Sequence, residues 1–143
     1  MLRKPLCSLA VEIILPFAAA WVKYGEKHAQ KFGRPLNPKE IENVKLVGTL
    51  HPERIRILEV NSIFPWERKR FTKGISYRYG IQLRNDCHQE LGLIVHEAVH
   101  TAQYERLGGI RPFRRDYLLE CLIEGYPNGP LETVAIEKTA DCS

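Results

Sequence analysis

The segment Leu91-Gly92-Leu93-Ile94-Val95-His96-Glu97-Ala98-Val99-His100-Thr101-Ala102-Gln103 decides how this chain reads. Its apolar residues recur on a helical period, and start and stop signals flank them. Asp86-Cys87-His88-Gln89 has the form of a capping box that opens a helix, residues 91–107 continue it, and Gly108-Gly109 ends it. At ~1.5 Å per residue such a helix spans roughly 30 Å. Leu91, Leu93, Ile94, Val95, Ala98, Val99 and Ala102 surround two histidines and a glutamate, so the helix is expected to be buried on most sides.

Within it, His96-Glu97-Ala98-Val99-His100 has the H-E-x-x-H spacing. Residues four apart share a helix face at about 5–6 Å, so both imidazoles reach one tetrahedral ion at ~2.0–2.1 Å. Glu97 lies on the flank of that face, placed to act as general base on a water beside a Lewis-acidic zinc. The plain structural alternative is two core histidines bonded to backbone carbonyls, with Glu97 in an ion pair. A metal accounts better for the pattern, because it supplies one partner to both buried imidazoles.

Outward from this helix, residues 76–84 read as the clearest strand: Tyr77, Tyr79, Ile81 and Leu83 alternate with Arg78, Gly80, Gln82 and Arg84. Residues 54–60 are a second strand, and a third is expected within 63–72, since two strands alone make a poor sheet. Asn37-Pro38-Lys39-Glu40 opens a short helix that ends by Gly48. A helix from Pro112 to Gly125 and a last one from Pro130 towards Ala140 complete the chain.

Near the N-terminus, Leu9, Ile13, Phe17, Trp21 and Tyr24 recur at helical spacing, which predicts an amphipathic helix that turns this stripe into the fold and stops near 33–35. A signal peptide is the alternative reading of 6–20, with Ala18-Ala19-Ala20 as its cleavage site. Glu12 inside the apolar run and Pro16 argue against it, and the run is too interrupted to span a bilayer.

Composition sets the class. The 143 residues are 44% hydrophobic and 27% charged, globular values that exclude a disordered chain. No repeat or linker divides them, so 1–143 reads as one domain with the helices of 1–50 packed on it. Lys and Arg total 21 against 17 Asp and Glu, a net charge of +4. Apart from residues 67–70 and Arg114-Arg115 these basic residues are scattered rather than gathered in a stripe, so no nucleic-acid partner is expected; no membrane partner is expected either. Four cysteines without a C-x-x-C pair read as reduced thiols in a cytoplasm.

No histidine follows His100, so the third ligand has to be a carboxylate if it lies C-terminal: Asp116, Glu120, Glu124, Glu132, Glu137 or Asp141. Residues 96–103, then Asn128-Gly129-Pro130-Leu131-Glu132-Thr133-Val134-Ala135, resemble the small gluzincin-type metallopeptidase domains of bacteria, which read H-E-x-x-H-x-x-Q and later N-P-x-E-x-x-A. The resemblance covers about residues 79–140, and Gly129 is an insertion in its second segment. It implies Glu132 as third zinc ligand beside His96 and His100, with Glu97 as base. Glu137, in an E-x-x-A-D pattern, is the rival. Tyr117 is the first choice of donor to a developing oxyanion, with Tyr104 and Tyr126 behind it. Gln103 shares the histidine stripe. His28, His51 and His88 read as surface or capping residues.

The expectation is therefore an α+β, zincin-like domain: a small sheet, a buried H-E-x-x-H helix and flanking helices. Its expected function is zinc-dependent hydrolysis of peptide bonds in peptides or unfolded protein, docked along a sheet edge for which residues 77–84 are one candidate. The alternative is a catalytically silent zinc-binding scaffold whose fourth metal position is filled by a side chain. Oligomeric state is not written in the sequence.

Overall fold

The computed structural model describes residues 3–64, 66–67, 72–87, 89–126 and 128–140. Its helix ends follow local chemistry. The Asn37 side chain accepts the Glu40 N–H and the Glu40 carboxylate accepts the Asn37 N–H, both at 2.8 Å, so the expected capping box opens helix α2, Pro38–Leu46. Helix α3, Leu91–Leu107, ends at Gly108, whose φ of 99° suits glycine. The chain then turns directly into α4, Ile110–Glu124. This start lies two residues before the expected Pro112, because a proline is tolerated in a first turn, where its missing N–H has no intrahelical acceptor. Helix α5 is Pro130–Ala140.

The expected capping box at 86–89 does not open α3. The helix starts at Leu91 behind Glu90, which makes no side-chain capping bond. The Asp86 carboxylate instead accepts from the Arg84 guanidinium at 2.6 and 3.0 Å, which holds its pKa down at about 2. A charge-assisted fork outcompetes a backbone cap. His88 lies outside the described residues.

Among the described residues, four strands form one mixed sheet in the order β1-β2-β4-β3, with β1 Arg34–Pro35, β2 Arg56–Val60, β3 Gly74–Ser76 and β4 Gly80–Arg84. β2 and β4 run parallel, and the outer pairs are antiparallel. The single strand expected over 76–84 is thus the second half of a hairpin. Arg78, at φ 76°, reverses the chain, and Tyr77 N–H donates to Gly80 O. The strand expected within 63–72 appears instead at 74–76; Pro65 and residues 68–71 lie outside the described residues. β4 is paired on both sides, so among the described residues the sheet edge beside α3 is β3 and not residues 77–84.

Helix α1, Arg3–Phe32, runs through Pro16 and reverses the expected orientation. The stripe of Leu9, Ile13, Phe17, Trp21 and Tyr24 faces solvent, while Val11, Leu15, Ala19, Val22 and Ala29 are buried. The cause is close approach. A Cβ on Gly25 would meet the Tyr77 ring at 2.8 Å, and one on Gly80 would meet Glu26 Cα and Ala29 Cβ at 2.9 Å. Only the small-residue face of α1 fits that gap, so the bulky stripe is turned outward.

Helix α3 lies at the centre. Ile94 and Ala98 pack with Ile57, Ile81 and Leu83 of the sheet. Val95 and Val99 pack with Ala135 of α5, and Tyr104 packs with Ala19, Val22 and Phe113 of α1 and α4. Most of the helix is therefore committed to neighbours, and its buried polar residues are held in fixed positions.

One ion pair joins α1 to the hairpin. Glu26 accepts from Arg78 Nε and Nη2, both at 2.7 Å, and from the Tyr79 N–H at 3.1 Å. Replacing Glu26 by Ala should cost about 2 kcal/mol in urea unfolding, since charge-assisted bonds are lost at a half-buried site. Arg78→Gly should cost about 1 kcal/mol less than Arg78→Ala, because glycine relieves the left-handed backbone.

Candidate metal centre

The one-turn offset within α3 sets His96 and His100 side by side, with ring centroids 5.2 Å apart. The first turn of α5 brings Glu132 to both. His96 Nε2 lies 2.7 Å from Glu132 Oε1, and His100 Nε2 lies 3.1 Å from Glu132 Oε2. The ligand atoms of these three residues all fall within 4.8 Å of one another, a set able to hold a metal ion, and no other Cys, Asp, Glu or His joins it among the described residues. Glu137 is exposed, as are Asp116 and Glu124. Asp141 lies outside the described residues.

The surroundings orient each donor. Gln103 Nε2 donates to the Leu131 carbonyl at 2.9 Å, which fixes the amide and turns Oε1 towards His100 Nδ1, 2.9 Å away. His100 Nδ1 must then carry the proton. Its Nε2 lone pair faces a carboxylate oxygen, an arrangement that calls for a cation or a second proton between them. This donor set of two imidazoles and one carboxylate fits a divalent metal. Tyr117 OH donates to Glu132 Oε2 at 2.8 Å. Its hydroxyl is therefore engaged in positioning a carboxylate, not free for the expected role towards an oxyanion.

Electrostatics follow from burial and pairing. Burial opposes ionisation of Glu132, but the bonds from His100 and His96 outweigh it and hold its carboxyl well below the usual range. Burial likewise opposes charging of His100, and Glu132 and Glu97 overcome it, so its pKa is raised. Glu97 is buried beside them with no countercharge bonded to it among the described residues, and its pKa is pushed up by desolvation. Tyr117 is raised by burial and then by the Glu132 charge.

Two residues set the reach of α5. Glu120 Oε2 accepts the Leu131 N–H at 2.9 Å and so caps the helix from α4. A Cβ on Gly129 would lie 2.8 Å from Glu120 Cβ. Gly129 is thus the residue that lets Glu120 close over the turn.

A cleft crosses the cluster. On one side a cavity of about 530 Å³ is bounded by Trp21, Phe64, Phe113, Arg114 and Tyr117 together with the three candidate ligands and Glu97. On the other, a second cavity of about 530 Å³ shares His96, Glu97 and Glu132 and continues past Gly92, Leu93 and Thr139. Gly74 of β3 borders both. The register pairs Ile75 with Gln82, and the alternation of antiparallel bonding then turns the Gly74 backbone groups away from β4, towards the cleft.

Sequence reasoning gave Arg114 no role in the site, noting only that it stands beside Arg115 among otherwise scattered basic residues. Its Nη2 donates to the Ser76 carbonyl at 3.0 Å, and its guanidinium lies 5.5 to 5.8 Å from the ring centroids of Phe113, Tyr117 and Tyr104. Its Nε is buried without a hydrogen-bond partner among the described residues. The signal available was position: Arg114 precedes Tyr117 by three residues and shares its helix face. Tyr104 OH bonds the Ser76 carbonyl, and Tyr126 is largely exposed at the cleft.

Gly129→Ala should lose about 1–3 kcal/mol by overpacking against Glu120. Gly92→Ala is the control: its Cβ meets only Thr139 Cγ2 at 3.8 Å, so it should be neutral or gain up to about 0.5 kcal/mol. Chemical denaturation of the two variants measures the contrast. No protein family, curated protein or solved structure matches this chain.

Proposed function

We propose that this protein is a zincin-like metallohydrolase that cleaves peptide bonds in extended, unfolded polypeptide. The observation that carries the reading is the convergence of His96, His100 and Glu132 beside buried Glu97, in a cleft bordered by Gly74 of the edge strand β3. Zinc is the metal proposed, since two imidazoles and a carboxylate are a zinc donor set. When bound, it supplies Lewis acidity that acidifies water and polarises a carbonyl.

The chain's own residues do the rest. The Gly74 edge pairs with substrate backbone and lays the scissile bond across the cleft. The Glu97 carboxylate takes a proton from the attacking water and returns it to the leaving amine nitrogen, so one water is consumed for each bond broken. Arg114, which lines the cavity, sets its guanidinium charge towards the substrate oxygen that gains charge. Tyr117 and Gln103 hold Glu132 and His100 in place. The absence of a fourth protein donor from the cluster, among the described residues, favours the enzyme over the silent scaffold. A cytoplasmic setting goes with this reading, and Cys7, Cys87 and Cys121 are free thiols.

Glu97→Gln should bind metal as the wild type does and lose peptidase activity against an unstructured peptide library. Retained cleavage would overturn the mechanism. Glu132→Ala should lose stoichiometric zinc, together with the metal-dependent stabilisation of about 2.7 kcal/mol expected at a hundredfold excess over Kd, while Glu137→Ala keeps both. Metal analysis of the purified variants decides between the two carboxylates. Arg114→Lys should lower kcat at least tenfold with zinc content unchanged.

A further inference from the structure

Helix α1 carries two apolar faces, and the fold uses only one. Val11, Leu15, Ala19 and Val22 are buried against the body of the protein. The opposite stripe, Leu6, Leu9, Ile13, Phe17, Trp21 and Tyr24, lies open, with Ile13 63% and Phe17 76% exposed. The stripe continues to exposed Phe32, a run of roughly 39 Å at ~1.5 Å per residue. It is also widened at one end. Trp21 stacks on Phe64 at 5.9 Å, and Phe64 stacks on Trp66 at 5.0 Å, itself 75% exposed. A contiguous apolar surface of this size marks an interaction site.

Charge decides what it meets. Lys4, Lys23, Lys27 and Lys31 are exposed along the same helix. Its two acids are neutralised within the fold, Glu12 by Arg115 at 2.8 Å and Glu26 by Arg78 at 2.7 Å. The outward surface of α1 is therefore apolar, aromatic and cationic. A second copy docked on it would set lysine rows against each other with no free acid on the helix to offset them. An anionic lipid surface satisfies both features: acyl chains take the stripe, headgroups take the lysines, and Trp and Tyr suit the boundary between them.

By length and composition, Lys4–Phe32 is apolar enough to cross a membrane. Its buried face and the Glu12–Arg115 pair tie it to α4 instead, so it lies along a bilayer and does not traverse one. We infer that the protein docks peripherally on anionic membranes through the outer stripe of α1. This revises the expectation that no membrane is a partner. Trp21 and Phe64 also wall the cavity that holds His96 and Glu97, so docking brings the cleft to the lipid surface.

The test is vesicle flotation of the full chain, a readout independent of hydrolysis. Phosphatidylcholine vesicles containing one quarter phosphatidylglycerol should carry the protein at least tenfold better than phosphatidylcholine alone, and added salt should release it. Ile13→Glu/Phe17→Glu should lose flotation at least tenfold with unchanged thermal unfolding, since both side chains are exposed in the fold. Lys23→Glu/Lys27→Glu should lose the preference for anionic lipid. The inference is overturned by no flotation with anionic vesicles, by equal flotation of the Ile13→Glu/Phe17→Glu variant, or by a lipid-free dimer that this variant disperses. Retention through both high salt and alkaline carbonate also overturns it, in favour of a spanning helix.

Discussion

An ionised carboxylate in the protein interior needs compensation from every direction, and Glu132 is the group on which this structure turns. Burial alone would protonate it. Two imidazoles from one helix face and a tyrosine hydroxyl from another helix keep it charged. That requirement fixes the placement of three elements at once. α3 must present His96 and His100 side by side, α4 must bring Tyr117 over them, and α5 must enter with its first turn aimed at the pair. The same compensation makes the cluster suited to a divalent cation, which replaces protons between donors already aligned.

The supports of α5 show how small contacts carry that geometry. The helix begins at Glu132's own turn, where the macrodipole favours a negative side chain. Glu120 reaches from α4 to cap it, Gly129 leaves the space for that reach, and the Gln103 amide bridges the Leu131 carbonyl to His100. The positions of Glu132 and His100 are thus coupled: a shift of α5 disturbs the carboxylate and the His100 ring together.

The sheet and the first helix divide the remaining surface into two kinds of opening. β3 is a short edge with glycine at its start, so backbone can approach the cleft closely there. α1 contributes a wall of that cleft through Trp21, yet leaves most of its large apolar side chains in solvent. Close packing explains both, since the Gly25–Tyr77 and Gly80–Glu26 approaches admit only the small-residue side of α1.

The sequence by itself determined the local features: the helical register that pairs His96 with His100, the Asn37–Glu40 cap, the glycine stop after Leu107 and the proline start of α5. Each depends on residues within a turn of one another, where spacing fixes geometry. The two short segments that suggested Glu132 also belong to this level. Tertiary structure alone decided the rest. Tyr77, Tyr79, Ile81 and Leu83 alternate like one strand, but Arg78 turns because Glu26, fifty-two residues away, holds it. Asp86 is diverted from capping by Arg84, whose fork-shaped donor set binds it more strongly. Leu9 to Tyr24 form the more hydrophobic stripe of α1 and still face outward, because fit against the sheet depends on size as well as hydrophobicity. Arg114 and Glu120 gained their roles only when α4 packed between α1 and α5. Periodicity says that a helix has faces; which face is buried is settled by the shape of what it packs against.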